Sequence, residues 1–256
     1  MEVDLYFIIV FFIFGTVLGS FYNVVGYRLP KGESLIRPAS HCTNCGHFLK
    51  PYELVPVFSW LFLGRKCSKC KQKISWFYPV FELSTGLLFA LSYILFGLSI
   101  KTALSLTLIS VLLIIIISDY QTMIIPDEVL IVGVVLSAIL LFIMNGGKAL
   151  LFSLLSGAGS FLLMYGLKIF GDIVFKKESM GGGDIKLMFL VGMVLGFRES
   201  IMVIFLSAII ALPVSLIILI KKKDHILPFG PFISVATLIM FLSRFNFDSF
   251  LKLFGV

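Results

Sequence analysis

The chain has 256 residues, of which 59% are hydrophobic and only 14% are charged, and its mean hydropathy is +1.07. A soluble domain averages about 45–50% apolar and about 25% charged residues. The excess here lies in blocks long enough to cross about 30 Å of hydrocarbon. This composition excludes a soluble globular enzyme, a disordered chain and a secreted disulfide-rich scaffold. It predicts an all-α fold, a polytopic membrane helical bundle of about eight transmembrane helices.

The apolar blocks give the predicted spans in chain order. They cover residues 5–27, 80–98, 102–118, 128–144, 149–170, 185–197, 200–220 and 228–243. Eight spans place the polar segments 28–79, 119–127, 168–186 and 221–227 on one side of the membrane, with 16 of the 21 Lys and Arg. The positive-inside rule predicts that this side is cytoplasmic and that both termini lie outside. The net charge of +7 therefore reports topology, and no nucleic-acid partner is expected.

The first span is predicted to be a retained helix and not a cleaved signal peptide. Glu2 and Asp4 stand where a signal peptide has a basic segment, and a basic loop follows the apolar run in place of a small-residue cleavage site. Gly15 and Gly19 on this helix favour close packing against another helix. Their presence is equally consistent with the general frequency of glycine in membrane helices.

All four cysteines lie in the long loop 28–79. They form two C-x2-C pairs, Cys42 with Cys45 and Cys67 with Cys70, separated by 21 residues. This spacing is typical of a structural zinc site, in which four thiolates close a tetrahedron. Disulfides are disfavoured on a cytoplasmic face, where thiols stay reduced. The pattern predicts a small zinc-stapled cytoplasmic loop domain whose metal is structural, because a saturated ion has no open position for water.

Two of the 14 acidic residues occupy unusual positions. Asp119 follows the apolar run at the cytoplasmic end of the third span, and Asp184 ends the segment Met180-Gly-Gly-Gly-Asp184 where the sixth span begins. Two carboxyl groups in a partly dry site tend to share a proton, which suits aspartyl protease chemistry. Gly181 and Gly183 let the backbone approach a substrate or another helix. Helix capping and the proton-relay carboxylates of a transporter are the alternatives for both acids.

Three further charged residues lie near these positions. Pro126 at a helix start favours a positional or capping role for Asp127. Glu82, just inside the second span, either pairs with a base of the loop or shapes the site. Lys186, two residues after Asp184, either holds a charge partner or extends its amine to the interface.

Six segments in order closely resemble the bacterial type IV prepilin peptidases, or prepilin leader peptidase/N-methyltransferases, a family of GxGD membrane aspartyl proteases. The segments are Gly19-Ser-Phe-Tyr-Asn-Val-Val-Gly-Tyr-Arg-Leu-Pro30, the cysteine loop from Arg37 to Cys70, Tyr78-Pro-Val-Phe-Glu-Leu83, Asp119-Tyr-Gln-Thr-Met-Ile-Ile-Pro-Asp127, Met180-Gly-Gly-Gly-Asp-Ile-Lys-Leu187 and Pro228-Phe-Gly-Pro-Phe232. The departures are small: Thr43 stands where the family often has Pro, and an acid that some relatives carry near Tyr120 is absent. Neither departure affects a cysteine or a candidate catalytic acid.

The resemblance implies more than the residues show. It assigns Asp119 and Asp184 as the catalytic pair, with no catalytic metal, and Cys42, Cys45, Cys67 and Cys70 as zinc ligands. The resemblance implies that the substrates are prepilin and pseudopilin precursors, which are cleaved at the cytoplasmic face of the bacterial inner membrane. It adds N-methylation of the new terminus with S-adenosylmethionine, although no glycine-rich nucleotide loop is evident. The organisation becomes a first helix (1–27), a zinc-binding loop associated with methylation (28–79) and a peptidase bundle (80–256).

Three rival functions fit less well. A transporter with proton-carrying carboxylates would place them at mid-bilayer and would favour an inverted repeat, which is not seen. A metalloprotease is disfavoured because there is no H-E-x-x-H motif and the chain has only three His. A general signal-peptide-cleaving GxGD protease would have no reason to carry the zinc loop.

Overall fold

The computed structural model describes residues 2–220 and 227–243, and within these ranges the regular elements are helices. In chain order they are α1 (Glu2–Arg28), α2 (Phe58–Phe62), α3 (Phe77–Phe96), α4 (Ile100–Thr122), α5 (Asp127–Phe175), α6 (Gly182–Leu195), α7 (Phe197–Ile220) and α8 (Gly230–Ser243), with short 3₁₀ turns at Leu29–Lys31 and Pro51–Glu53. Two isolated β-bridges join His41 to Phe48 and Lys66 to Lys73. The predicted all-α fold class is confirmed.

The chain divides into two compact units, Met1–Thr102 and Ala103–Val256. In the N-terminal unit, α1 packs along α3. Glycines make this contact close, because a Cβ atom on Gly15 would lie 2.8 Å from Cα of Gly86 and one on Gly19 would lie 2.9 Å from Cα of Glu82. Small residues that let two backbones approach are the usual basis of tight helix packing in a membrane.

In the C-terminal unit, α6 forms the centre. Its side chains Leu187, Met188, Leu190, Val191 and Met193 are all at most 1% exposed. α5 packs along it, and α7 and α8 contact it on other sides. A short helix surrounded in this way holds its first turn, which carries Asp184, in a fixed position.

Among the described residues, five helices are long and apolar enough to cross a membrane: α1, α3, α4, α5 and α7. α5 has 49 residues and is broken at Gly146, whose φ is +77°, between the predicted spans 128–144 and 149–170. α6 and α8 have 14 residues each, about 21 Å at 1.5 Å per residue. The membrane helices are thus confirmed, while the number of eight spans stays a prediction. Residues 221–226, including three of the lysines used for topology, lie outside the described residues.

Candidate active site and metal centre

Asp119 lies in the last turn of α4, three residues before the helix ends at Thr122. The preceding apolar run is in the protein interior, with Leu112, Ile115 and Ile117 at 0% exposed. Asp119 is itself only 6% exposed. The backbone of Gly230, at the start of α8, is close enough to interact with this carboxyl group. The carboxyl group of Asp119 is therefore held in the interior, at the point where α4 ends and α8 begins.

Asp184 is the third residue of α6 and is 7% exposed. Gly181 is the N-cap of α6 with an extended backbone (φ −69°, ψ 145°), and its N–H interacts with the Asp184 carboxylate. The carboxyl group of Asp184 is close enough to that of Asp119 for their charges to interact. The two acids, 65 residues apart in the chain, are thus brought together by the packing of this unit.

Each of these buried acids retains an oxygen with no hydrogen-bond partner. The atoms are Oδ2 of Asp119 and Oδ1 of Asp184. An unpartnered buried acceptor costs about 1–3 kcal/mol, and more when it is charged. Two crowded carboxyl groups that share a proton can provide a base and an acid in one place.

Glycines make room for this pair. A Cβ atom on Gly183 would lie 2.8 Å from Cβ of Ile125, and one on Gly230 would lie 2.6 Å from Oδ2 of Asp119 and 3.0 Å from Cδ1 of Ile125. Ile125 therefore lies between the two glycines. The sequence pattern predicts Gly183 near the site but does not single out Gly230. The sequence feature that could have identified Gly230 is its position between Pro228 and Pro231 at a helix start.

The connection from α4 to α5 is fixed by local hydrogen bonds. The hydroxyl of Ser118 donates to the carbonyl of Ile124 at 2.5 Å, and the N–H of Met123 donates to the carbonyl of Asp119 at 2.9 Å. Met123 has φ +56°, a left-handed conformation that turns the chain at the helix end. These contacts hold Ile125 against the glycines and keep Asp119 at the end of its helix.

Lys186 binds Asp127 and not Asp184. Its Nζ lies 2.7 Å from both carboxylate oxygens of Asp127, and both side chains are about half exposed. Asp127 is the first residue inside α5, while Pro126 is the N-cap and makes no side-chain cap. Of the positional and capping roles predicted for Asp127, the contacts favour the positional one, because its carboxylate joins the first turns of α5 and α6.

Glu82 belongs to the N-terminal unit and is 8% exposed. Its Oε2 accepts a hydrogen bond of 2.7 Å from the N–H of Val57, the residue before α2. Val57 has φ +62°, which a β-branched residue rarely adopts. Glu82 thus fixes a strained turn of the loop, and its partner is a backbone amide and not the loop base that the sequence suggested.

The four cysteines form one cluster. Their sulfur atoms all lie within 4.8 Å of one another, with Cys42 to Cys70 at 3.8 Å and Cys45 to Cys67 at 4.0 Å. The two C-x2-C turns have the same construction, because Gly46 (φ +68°) and Lys71 (φ +61°) follow them and donate N–H bonds to the carbonyls of Cys42 and Cys67. Each turn aims its two sulfurs at a common centre.

These sulfurs fit a zinc ion. Zn–S bonds of about 2.3 Å in a tetrahedron place the sulfurs about 3.8 Å apart, which matches the observed spacing. The neighbouring histidines are engaged elsewhere: His47 contacts Glu53 at 3.2 Å and His41 contacts the carbonyl of Ala39. The N–H of Lys50 that donates to Glu53 lowers the pKa of this carboxyl group, so it stays ionised beside His47.

Family models match both units of the chain. The Bacterial Peptidase A24 N-terminal domain matches residues 13–96, and the Type IV leader peptidase family matches residues 106–216. The first match contains the four cysteines and Glu82, and the second contains Asp119, Asp127, Asp184 and Lys186.

Curated relatives are similar over most of the chain, and each carries the name prepilin leader peptidase/N-methyltransferase. The one from Bacillus subtilis is 36% identical over 94% of this chain and 96% of its own length. The one from Myxococcus xanthus is 34% identical over 84% of this chain and 64% of its own length, and the one from Pseudomonas putida is 31% identical over 90% and 88%. No solved structure gives a significant match.

Proposed function

Because the chain belongs to the type IV leader peptidase family, we propose that it cleaves the leader peptides of type IV prepilins and pseudopilins with Asp119 and Asp184 as its catalytic pair. The observation that carries this proposal is the pair of buried, interacting carboxyl groups, each with an oxygen free to accept a proton or a hydrogen bond. Five membrane-length helices suit a substrate that is itself anchored by an apolar helix.

The reaction needs one ionised and one protonated aspartate. The ionised carboxylate takes a proton from water, whose oxygen attacks the scissile carbonyl carbon, while the protonated carboxyl group donates a hydrogen bond to the carbonyl oxygen. The tetrahedral intermediate then collapses, the amide nitrogen receives a proton, and the C–N bond breaks. The parts of acid and base are therefore proposed for the pair and are not assigned to either aspartate separately.

Asn substitutions test the pair with little change of shape. We expect Asp119→Asn and Asp184→Asn each to lose at least about 10²-fold in leader cleavage, since general acid–base catalysis contributes about 10²–10⁴-fold. The measurement is the mass of a purified prepilin after incubation with each variant in detergent or nanodiscs.

Glu128→Gln is the matched control, because Glu128 is an exposed acid in the first turn of α5. It should cleave at the rate of the unsubstituted protein. Normal processing by either Asn variant, with the fold intact by circular dichroism, would overturn the assignment.

The second proposed activity is methylation of the new N-terminal residue with S-adenosylmethionine as methyl donor. Support comes from the N-methyltransferase name of the relatives and from the match of the N-terminal unit to its own family model. In this step the neutral amine attacks the methyl carbon, the sulfonium leaves as a thioether, and the amine loses a proton.

The site and the loop are proposed to face the cytoplasm of a bacterial cell, with zinc in the loop. The distribution of Lys and Arg supports this orientation, and the four-sulfur cluster supports zinc. Cys42, Cys45, Cys67 and Cys70 would hold the ion, which would supply folding stability to a loop with little apolar core.

The remaining residues are proposed as supports. Gly181 and Gly183 allow α6 to begin beside the second aspartate, and the Asp127–Lys186 pair joins the first turns of α5 and α6. Glu82 supports the loop through Val57.

A further inference from the structure

A cavity of about 600 Å³ lies inside the N-terminal unit. Its walls are the end of α1 near Asn23, the start of α3 near Tyr78 and Glu82, and the cysteine loop. Small-molecule sites usually occupy about 300–1,000 Å³. The cavity contains none of the residues of the aspartate pair, so the proposed cleavage leaves it without a role.

Asn23 supplies an unpartnered hydrogen-bond acceptor at this cavity. It is 3% exposed, and its Nδ2 donates to the carbonyls of Gly19 (3.1 Å) and Tyr78 (3.4 Å). These two carbonyls fix the amide orientation, because the reverse one would place oxygen against oxygen. The result is that Oδ1 is buried without a partner, which is unfavourable and which a ligand N–H or O–H would relieve.

Glu82 adds a carboxyl group to the same wall. The N–H of Val57 (2.7 Å) and the hydroxyl of Ser20 hold its carboxylate. Across the lining the acids Glu33, Glu53 and Glu82 lie against the cations Arg28 and Lys73, and His41 is also present. Nη1 of Arg28 donates to the carbonyls of Ser34 and Pro38. The lining therefore favours a ligand with positive charge.

Aromatic side chains complete the lining. Tyr27, Trp60 and Tyr78 line the cavity, and Trp60 is held in place by a hydrogen bond from its Nε1 to the carbonyl of Ile74 (3.3 Å). Lys31 Nζ already lies 3.3 Å from the centre of the Tyr27 ring, and the Arg65 guanidinium lies 5.1 Å from that of Trp60, so a ligand cation is expected at Tyr78. Aromatic rings bind a cationic sulfonium or ammonium group through the ring face and stack on a planar base. A ligand that suits this lining is a cation with hydrogen-bond donors and a flat heterocycle.

We propose that this cavity is the binding site of the methyl donor, S-adenosylmethionine, which rests on the methyl transfer proposed above. Its sulfonium and ammonium groups match the acidic and aromatic lining, and its adenine amine and ribose hydroxyls are donors of the kind that Oδ1 of Asn23 lacks. Glu82 and Asn23 face the ligand as binding residues. Cys42 and Cys67 also line the cavity, so the zinc-stapled loop forms one of its walls.

The test measures binding of radiolabelled S-adenosylmethionine to the purified full-length protein in nanodiscs, with no prepilin present. Asn23→Leu removes the acceptor at similar volume, and we expect its Kd to rise at least about tenfold, the loss of one hydrogen bond to a buried group. Glu82→Gln should raise the Kd similarly by removing the charge. Asn145→Leu and Glu128→Gln make the same chemical changes at exposed positions of α5 and should leave the Kd unchanged.

A second measurement locates the ligand without substitutions. Ultraviolet crosslinking of the labelled donor, followed by peptide mass mapping, should label peptides from residues 20–82. Unchanged binding by folded Asn23→Leu and Glu82→Gln variants, or labelling confined to residues 103–220, would overturn the site. Failure of the unsubstituted protein both to bind the donor and to methylate a cleaved pilin would instead overturn the methyl transfer itself.

Discussion

A Cβ atom on Gly230 would lie 2.6 Å from Oδ2 of Asp119, closer than non-bonded carbon and oxygen atoms approach. The start of α8 and the end of α4 thus meet at a point where only a hydrogen atom fits between them. The oxygen concerned is the one that has no hydrogen-bond partner, so any side chain at this position would displace the group that the proposed chemistry uses.

Gly230→Ala is therefore expected to impair cleavage more than folding. The methyl group would push the Asp119 carboxylate, which is the flexible partner in the contact, while the helix itself gains a better helix former. We expect leader cleavage to fall at least about 100-fold, as expected when a catalytic group is misplaced by about 1 Å. Cleavage rate and unfolding temperature are measured together. Gly166→Ala, where a Cβ atom meets nothing within 4 Å, should lose neither, and a fully active Gly230→Ala would contradict the close contact.

The glycines before Asp184 should differ in their tolerance of alanine. A Cβ atom on Gly183 would lie 2.8 Å from Cβ of Ile125, whereas one on Gly182 would meet nothing within 4 Å. Since a backbone-attached carbon cannot swing away, Gly183→Ala should separate α6 from the α4–α5 connection and reduce cleavage at least about tenfold. Gly182→Ala should retain it. Equal sensitivity of the two positions in the prepilin assay would show that the segment is needed for flexibility and not for close packing.

The Asp127–Lys186 pair should contribute little to stability. Both side chains are about half exposed, and pairs of this kind are worth about 0–1 kcal/mol. Lys186→Met should lower the unfolding temperature by no more than about 4 °C, and the exchanged pair Asp127→Lys with Lys186→Asp should recover most of the loss. A larger drop that the exchange does not recover would mean that Lys186 acts through another group.

Removal of zinc should separate the two activities. Since the cysteine cluster forms part of the donor cavity, Cys45→Ser or prolonged treatment with a strong zinc chelator should weaken binding of the methyl donor. Leader cleavage by the already folded protein should persist, because the proposed aspartate mechanism uses no metal. Metal content is followed by elemental analysis beside both activities. Lys69→Ala, an exposed substitution inside the second cysteine turn, is the control, and immediate loss of cleavage when zinc leaves would contradict this division.

Short sequence patterns were enough to predict those features of this protein that depend on residues close together in the chain. Two C-x2-C pairs predict a four-sulfur cluster because each turn is built from four adjacent residues, and the sulfurs do lie within 4.8 Å of one another. Apolar runs predict the membrane helices because length and hydropathy alone decide them. The two unusual aspartates, Asp119 and Asp184, could be selected because each is an acid at the end of an apolar run.

Contacts between distant segments could not be derived in this way. That Asp119 faces Asp184, that Gly230 lies against it, and that Lys186 binds Asp127 across 59 residues of chain depend on how α4, α5, α6 and α8 pack. The unpartnered oxygen of Asn23 likewise exists only because Gly19 and Tyr78 occupy its amide nitrogen. The membrane helices, the four-sulfur cluster and the two candidate acids could be predicted because hydrophobic length and short spacing act within one segment. The polar atoms that remain unpartnered could be identified only in the folded protein, because burial and hydrogen bonding are shared among segments far apart in the chain.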